Sequence, residues 1–139
     1  GGEGETIEGT SILEGIKGAV AGSTRVEFDE KGDFVLLPEE KAAVGIAVVG
    51  ERPYAEGAGD DAHPALPDED LETIRKMREK CERLVVVIVS GRPLDIKEQA
   101  KEWDAIVAAW LPGSEGRGVS DVLFGDYPFT GILPVDWEM

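Results

Sequence analysis

The chain is poor in cations, thiols and imidazoles, and each shortage excludes something. Its 14 Lys and Arg stand against 29 Asp and Glu, a formal charge of 14 − 29 = −15. Nucleic acid and anionic membrane are thereby excluded as partners, since both need basic patches that displace counterions. Cys81 and His63 are the single cysteine and the single histidine. One of each can form neither an internal disulfide nor a zinc site of the usual Cys/His kind, so no metal is expected. The lone thiol fits a reducing compartment, and a start rich in glycine and glutamate is unlike a signal peptide; the expected setting is soluble and cytoplasmic. No apolar run reaches membrane-spanning length.

What the chain has is alternation of strand and helix signals within 139 residues, the size of one domain with a real core. Residues 1–9 are too polar to pack and read as a flexible start. Ser11 with Glu14 makes a capping box for a helix whose inner face is Ile12, Ile16, Ala19 and Val20, ended near Gly22. Thr24 to Phe28 alternates like a strand, 29–33 is a turn, and a short apolar run closes at Pro38. Glu39 to Ala43 suits a short helix. Val44 to Val49 and Leu84 to Val89 are β-branched runs of the kind buried on both faces of a parallel sheet.

Between those two strands, Asp68 offers a cap for a helix to about Arg83, its inner stripe Leu71, Ile74, Met77 or the stem of Arg78, and Cys81. Cys81 reads as a small buried hydrophobe. Ser90 to Pro93 is a turn, Asp95 to Trp103 a helix facing inward through Ile96 and Ala100, and Ala105 to Ala109 a further strand. The turn Gly113 to Gly118 opens a helix through Val119, Val122, Leu123 and Phe124. Its glycine spacing matches neither a dinucleotide fingerprint nor a P-loop, so no cofactor is expected and close packing is favoured over anion binding. Residues 129–137 read as a short edge strand, because proline removes a ladder donor. The class is α/β: a three-layer sandwich, flavodoxin- or Rossmann-like, with a mostly parallel sheet flanked by helices, in one domain spanning 1–139.

The stretch the rest is organised around is GERPYAEGAGD, Gly50 to Asp60. It begins at a strand's carboxyl end, where ligands meet open α/β sheets, and it carries Glu51, Glu56 and Tyr54 among glycines that free its backbone. As a pattern it is an acidic loop, and fold alone assigns no function.

GERPYAEGAGD, SGRPLDI from Ser90, GTSILEGIK from Gly9 and AIVAAWLPGSEGRGVSDVLFGDYPFTGILPVDW from Ala105 together resemble the second domain of family 3 glycoside hydrolases, the β-glucosidases and exo-β-glucanases. The segment from Trp110 to Gly116 is the most specific part. In that family a (β/α)8 barrel domain supplies an aspartate nucleophile and the second domain supplies the acid/base glutamate. The resemblance places the acid/base at Glu56, with Glu51 as runner-up, and makes Tyr54 and Arg52 the substrate contacts of the loop. A retaining glycosidase holds its two carboxyls about 5–5.5 Å apart, one attacking while the other protonates the departing oxygen.

This sequence also departs from the family. No barrel accompanies it. Asp136, in Val-Asp-Trp, sits in the family's closing motif and reads as structural. Glu3 stands where the family has a tryptophan, and an interior strand that precedes this point in the family has no counterpart. The neighbouring strands are expected to pair directly, or a second copy to fill the gap as a homodimer. The oddities suggest an engineered or excised scaffold, silent alone. The alternatives are a hydrolase half active with a barrel partner, or a module binding a small anion or a protein. The substrate class implied by the resemblance is β-glucosides.

Overall fold

A computed structural model describes residues 8–35, 40–54 and 57–137. They group into two compact units, one built from the described residues of 8–27 and 111–134, the other from those of 28–110 and 135–137.

The first unit is a helix pair. α1 (Ile12–Ala19) starts at the expected capping box: Ser11 Oγ accepts the Glu14 amide at 3.1 Å and Glu14 Oε2 accepts the Ser11 amide at 2.8 Å, so two orphan donors are satisfied reciprocally. α1 packs on α3 (Gly116–Leu123). Two glycines allow the approach. A Cβ on Gly116 would lie 2.3 Å from the Ser11 carbonyl carbon, and one on Gly15 would lie 2.7 Å from Ser120 Oγ. The Gly116 amide donates to Thr10 O at 2.8 Å, and Thr10 N to Ser114 O at 2.8 Å. The first amide of α3 is therefore used in packing, which accounts for Gly116.

The second unit holds the sheet. β1 (Ala42–Gly50), β2 (Cys81–Val89) and β3 (Ala105–Trp110) are parallel in the order β1-β2-β3. Parallel neighbours need crossovers, and α2 (Asp68–Lys80) supplies the one between β1 and β2, packing against both. Leu84, Val86 and Ile88 of β2 are wholly buried, and with Ala47 and Val49 of β1, Ile74 and Met77 of α2, and Leu94 and Ile96 they make the core. Gly45 keeps room for Cys81, whose Sγ would be 2.8 Å from an added Cβ. Burial holds the Cys81 thiol above its ordinary value, as a small hydrophobe in the core should be. At the strands' amino ends Asp104 Oδ2 accepts from Arg78 Nη1 and from the Leu84 amide, both at 2.7 Å. The Arg78 bond, ahead of the amide, holds that carboxyl below its usual range.

Several expected elements differ. Thr24 to Phe28 forms no strand, for no described neighbour offers it a ladder; the Arg25 and Glu27 side chains pair with each other instead. The helix expected over 39–43 is not found in its described part: Ala42 and Ala43 already belong to β1, and Glu39 lies outside the described residues. Helix α2 stops at Lys80 because Cys81 to Arg83 are drawn into β2, where Ala42 opposes Cys81 and Val44 opposes Arg83. Pro67 rather than Asp68 stands at its N-cap. Asp95 to Trp103 yields a single 3-10 turn, Gln99–Glu102, since Leu94 and Ile96 are pulled into the core and Asp95 bridges to Ala65. The segment 129–137 adds no edge strand; Trp137 enters the core instead. β1 has a ladder partner on one side alone among the described residues.

Ile88→Ala should cost about 2–5 kcal/mol, a large share of a domain's usual stability, read as a lower urea midpoint at unchanged m-value.

Candidate functional site

The site lies where β1 and β2 end. Gly50 opposes Val89 in the parallel register, and a Cβ on Gly50 would lie 1.8 Å from the Val89 oxygen, so this position requires glycine. The Glu51 amide continues the ladder to Val89 O at 3.2 Å. That register carries the residues following each strand, Glu51 and Ser90, to the same edge.

There Glu51 is enclosed. Its side chain is 12% exposed and that of its partner Arg92 is 24% exposed. Arg92 Nη2 donates to Glu51 Oε1 at 2.7 Å and Nε donates to Oε1 at 3.0 Å and Oε2 at 3.3 Å. Ser90 Oγ reaches Glu51 Oε2 at 2.6 Å and accepts the Arg92 amide at 3.2 Å. Two side chains of the β2 turn thus meet both oxygens of one carboxylate, the planar fork that arginine forms and lysine cannot. The Glu51 hydrogen bond holds the Arg92 guanidinium still more firmly in its charged form.

The same guanidinium holds the far end of the loop. Arg92 Nη1 donates to Gly59 O at 2.8 Å, and its Cζ lies 4.4 Å from the centre of the Tyr54 ring, a cation–π distance. Tyr54 packs so closely on Gly59 that an added Cβ there would stand 2.6 Å from the Tyr54 Cβ. Between them Gly57 takes φ +78°, and the turn closes with the Asp60 amide donating to Gly57 O at 3.2 Å. Glu56 lies outside the described residues.

Arg52 points elsewhere, its guanidinium 3.7 Å from Glu69 and largely exposed. It borders an open cleft of about 310 Å³ lined by Val48, Gly50, Pro67, Glu69, Asp70 and Val89 among others. Here Asp70 Oδ2 accepts the Gly50 amide at 3.2 Å, and burial raises the carboxyl above its ordinary value, outweighing that bond. No group of three or more His, Cys, Asp or Glu among the described residues is arranged to hold a metal ion.

β3 bulges at the same edge. Val89 opposes Trp110 after Ile88 opposes Ala108, so Ala109 is skipped. Trp110 takes φ +55°, the sole non-glycine residue above zero among the described residues, a conformation a bulky side chain adopts under constraint. Its carbonyl accepts the Ser90 amide at 3.1 Å, and its ring meets Trp137 edge-on at 5.9 Å.

Of the sequence candidates, then, Glu51 and Tyr54 are brought together, Arg52 stands apart from them, and Arg92 and Ser90 were missed. The signal was present in Ser-Gly-Arg-Pro directly after a buried strand, but it reads equally as a plain turn.

A parallel α/β sheet with its polar constellation at the carboxyl edge defines the class of an open-sheet, site-bearing domain. The particular family follows from comparison: the pattern described as "Glycosyl hydrolase family 3 C-terminal domain" matches residues 1–139, and the chain belongs to that family. It is 35% identical over 119 residues to a periplasmic β-glucosidase of Salmonella typhimurium, covering 81% of this chain and 16% of that protein. A xylan 1,4-β-xylosidase of Xylanibacter ruminicola is 37% identical over 78 residues, 55% of this chain and 9% of that one. The solved β-glucosidase of Listeria innocua in complex with gluconolactone superimposes with a TM-score of 0.54 at 32% identity, over 60% of this chain and 12% of that one. The chain spans about a sixth of the first relative's length. Among the described residues no helix is long and apolar enough to cross a membrane.

Asp70 supplies a pH test. Its folded pKa lies above the unfolded one, so its contribution to stability is full below the unfolded value, about 3.9, and is lost as pH rises through the folded value. Asp70→Asn keeps an acceptor for Gly50, and should gain stability relative to wild type as pH rises above about 4 in urea titrations.

Proposed function

We propose that this chain is the proton-donating half of a retaining β-glycosidase, with Glu56 as the acid/base and the nucleophilic carboxylate supplied by a barrel domain, joined to it or separate. The observation that carries the reading is the family match across residues 1–139, together with Glu56's place in the loop that leaves β1 at the sheet's carboxyl edge. Relatives named as β-glucosidases and a β-xylosidase favour β-linked glycosides as the substrate class.

The chemistry divides the labour. The acid protonates the departing glycosidic oxygen while the nucleophile forms a glycosyl-enzyme bond; the same glutamate, now a base, then deprotonates the water that breaks it. Neither step proceeds well with a donor alone, so the 139 residues by themselves are silent on glycosides. Glu51, with both oxygens taken by Arg92 and Ser90, fixes the loop instead of donating a proton. Tyr54 shapes the loop, and Arg52 is free to swing toward a sugar hydroxyl, since its exposed pair with Glu69 at 3.7 Å is a weak tether.

The test is hydrolysis of an aryl β-glucoside by the chain alone and with a family 3 barrel added. Background rates alone, and turnover with the barrel that falls by about 10²–10⁴ in Glu56→Gln, support the proposal. Turnover by the chain alone that Glu56→Gln abolishes would show that these residues hold a nucleophile as well.

A further inference from the structure

We propose that Arg92 is a positioning residue for the proton-donating step: one guanidinium, carried on the turn after β2, fastens both ends of the loop that carries Glu56. This rests on reading Glu56 as the acid. At the loop's start Arg92 holds the Glu51 carboxylate with Nη2 at 2.7 Å and Nε at 3.0 Å; at its end Nη1 holds Gly59 O at 2.8 Å; its face covers Tyr54 at 4.4 Å. In sequence Glu56 stands two residues after Tyr54 and three before Gly59. Arg92 therefore holds described residues on both sides of Glu56 in the sequence.

The clamp is itself built rigidly. Ser90, 2% exposed, ties the Arg92 amide and Glu51 Oε2 to one hydroxyl, and the Ser90 amide is bonded to the turned carbonyl of Trp110. The strained bulge in β3 therefore steadies the turn that bears Arg92. Nothing but arginine offers this set of bonds together: a carboxylate fork, a third donor directed elsewhere and a flat face for an aromatic ring. A lysine retains the charge and at most part of the fork. An acid displaced by about 1 Å can lose about a hundredfold in rate, and the loss falls on steps that need a proton.

That selectivity separates positioning from mere support. With a family 3 barrel supplied, kcat/KM is measured for phenyl β-glucoside, whose leaving group needs protonation, and for 2,4-dinitrophenyl β-glucoside, whose leaving group does not. Arg92→Met should lower the first by about 10²-fold and the second by only a few-fold. Azide, which attacks the glycosyl-enzyme without base help, should restore part of kcat on the activated substrate. Arg92→Lys should fall between wild type and Met, and Arg75→Met, in an exposed helix pair, should match wild type. Equal losses on both substrates, or none, overturn the positioning role.

A second measurement on the chain alone is independent of the barrel. Hydrogen exchange in the peptide spanning 50–60 should accelerate in Arg92→Met while that spanning 84–88 stays protected; unchanged exchange in 50–60 overturns the clamp. Glu56→Gln without the leaving-group dependence overturns the acid assignment, and with it the catalytic part of the proposal, even where the exchange result stands. If Arg92→Met does not fold, Arg92→Lys and Tyr54→Leu remove the contacts piecemeal and are read in the same way.

Discussion

A carboxylate that follows one strand and a guanidinium that follows the next can meet only if the strands run parallel and in register. β1 and β2 satisfy this with Gly50 opposite Val89, and the missing side chain at Gly50 lets the Glu51 amide reach the Val89 carbonyl. A slip of one residue would turn every side chain of β1 to the other face and point Glu51 away from Arg92. The core prevents that slip: Ala47 and Val49 share a face with Leu84, Val86 and Ile88, and burial of those residues sets the register. The polar site is thus positioned by apolar packing one turn below it.

Charge gives the Arg92 contacts their particular value. In a chain with 29 acids against 14 bases, several cations sit in exposed pairs, such as Arg75 with Glu72 and Glu79, which contribute little. Arg92 and Arg78 differ, each joining segments distant in sequence. Arg78 binds Asp104 and the carbonyls of Cys81 and Glu82 at the amino edge, and Arg92 binds Glu51 and Gly59 at the carboxyl edge. One steadies the sheet, the other the loop through which the family's chemistry is proposed to run.

Glycine marks the places where backbones touch. Gly15 and Gly116 bring α1 against α3, Gly50 brings β1 against Val89, and Gly59 brings the acidic loop against Tyr54. Within the turn from Gly113 to Gly118, Gly116 is required by Thr10 and Ser11, whose backbone occupies the space a Cβ would need.

Local physics was readable in the order of residues. The Ser11–Glu14 capping box, the β-branched runs that become β1 and β2, the amphipathic face of α2 and the parallel α/β class depend on neighbours three or four positions away, or on two-residue alternation, and were legible for that reason. So was the loop with Glu51 and Tyr54. What folding decided is where segments meet: that Cys81 to Arg83 join a strand because β1 lies alongside them, that 24–28 and 129–137 find no described ladder, and that Ile96 leaves a helical pattern to fill the core. It also decided that Arg92, two residues into an ordinary-looking turn, lies over Tyr54 and between Glu51 and Gly59. Such contacts span 33 to 41 positions of chain, and no periodicity within a segment encodes a partner that distant.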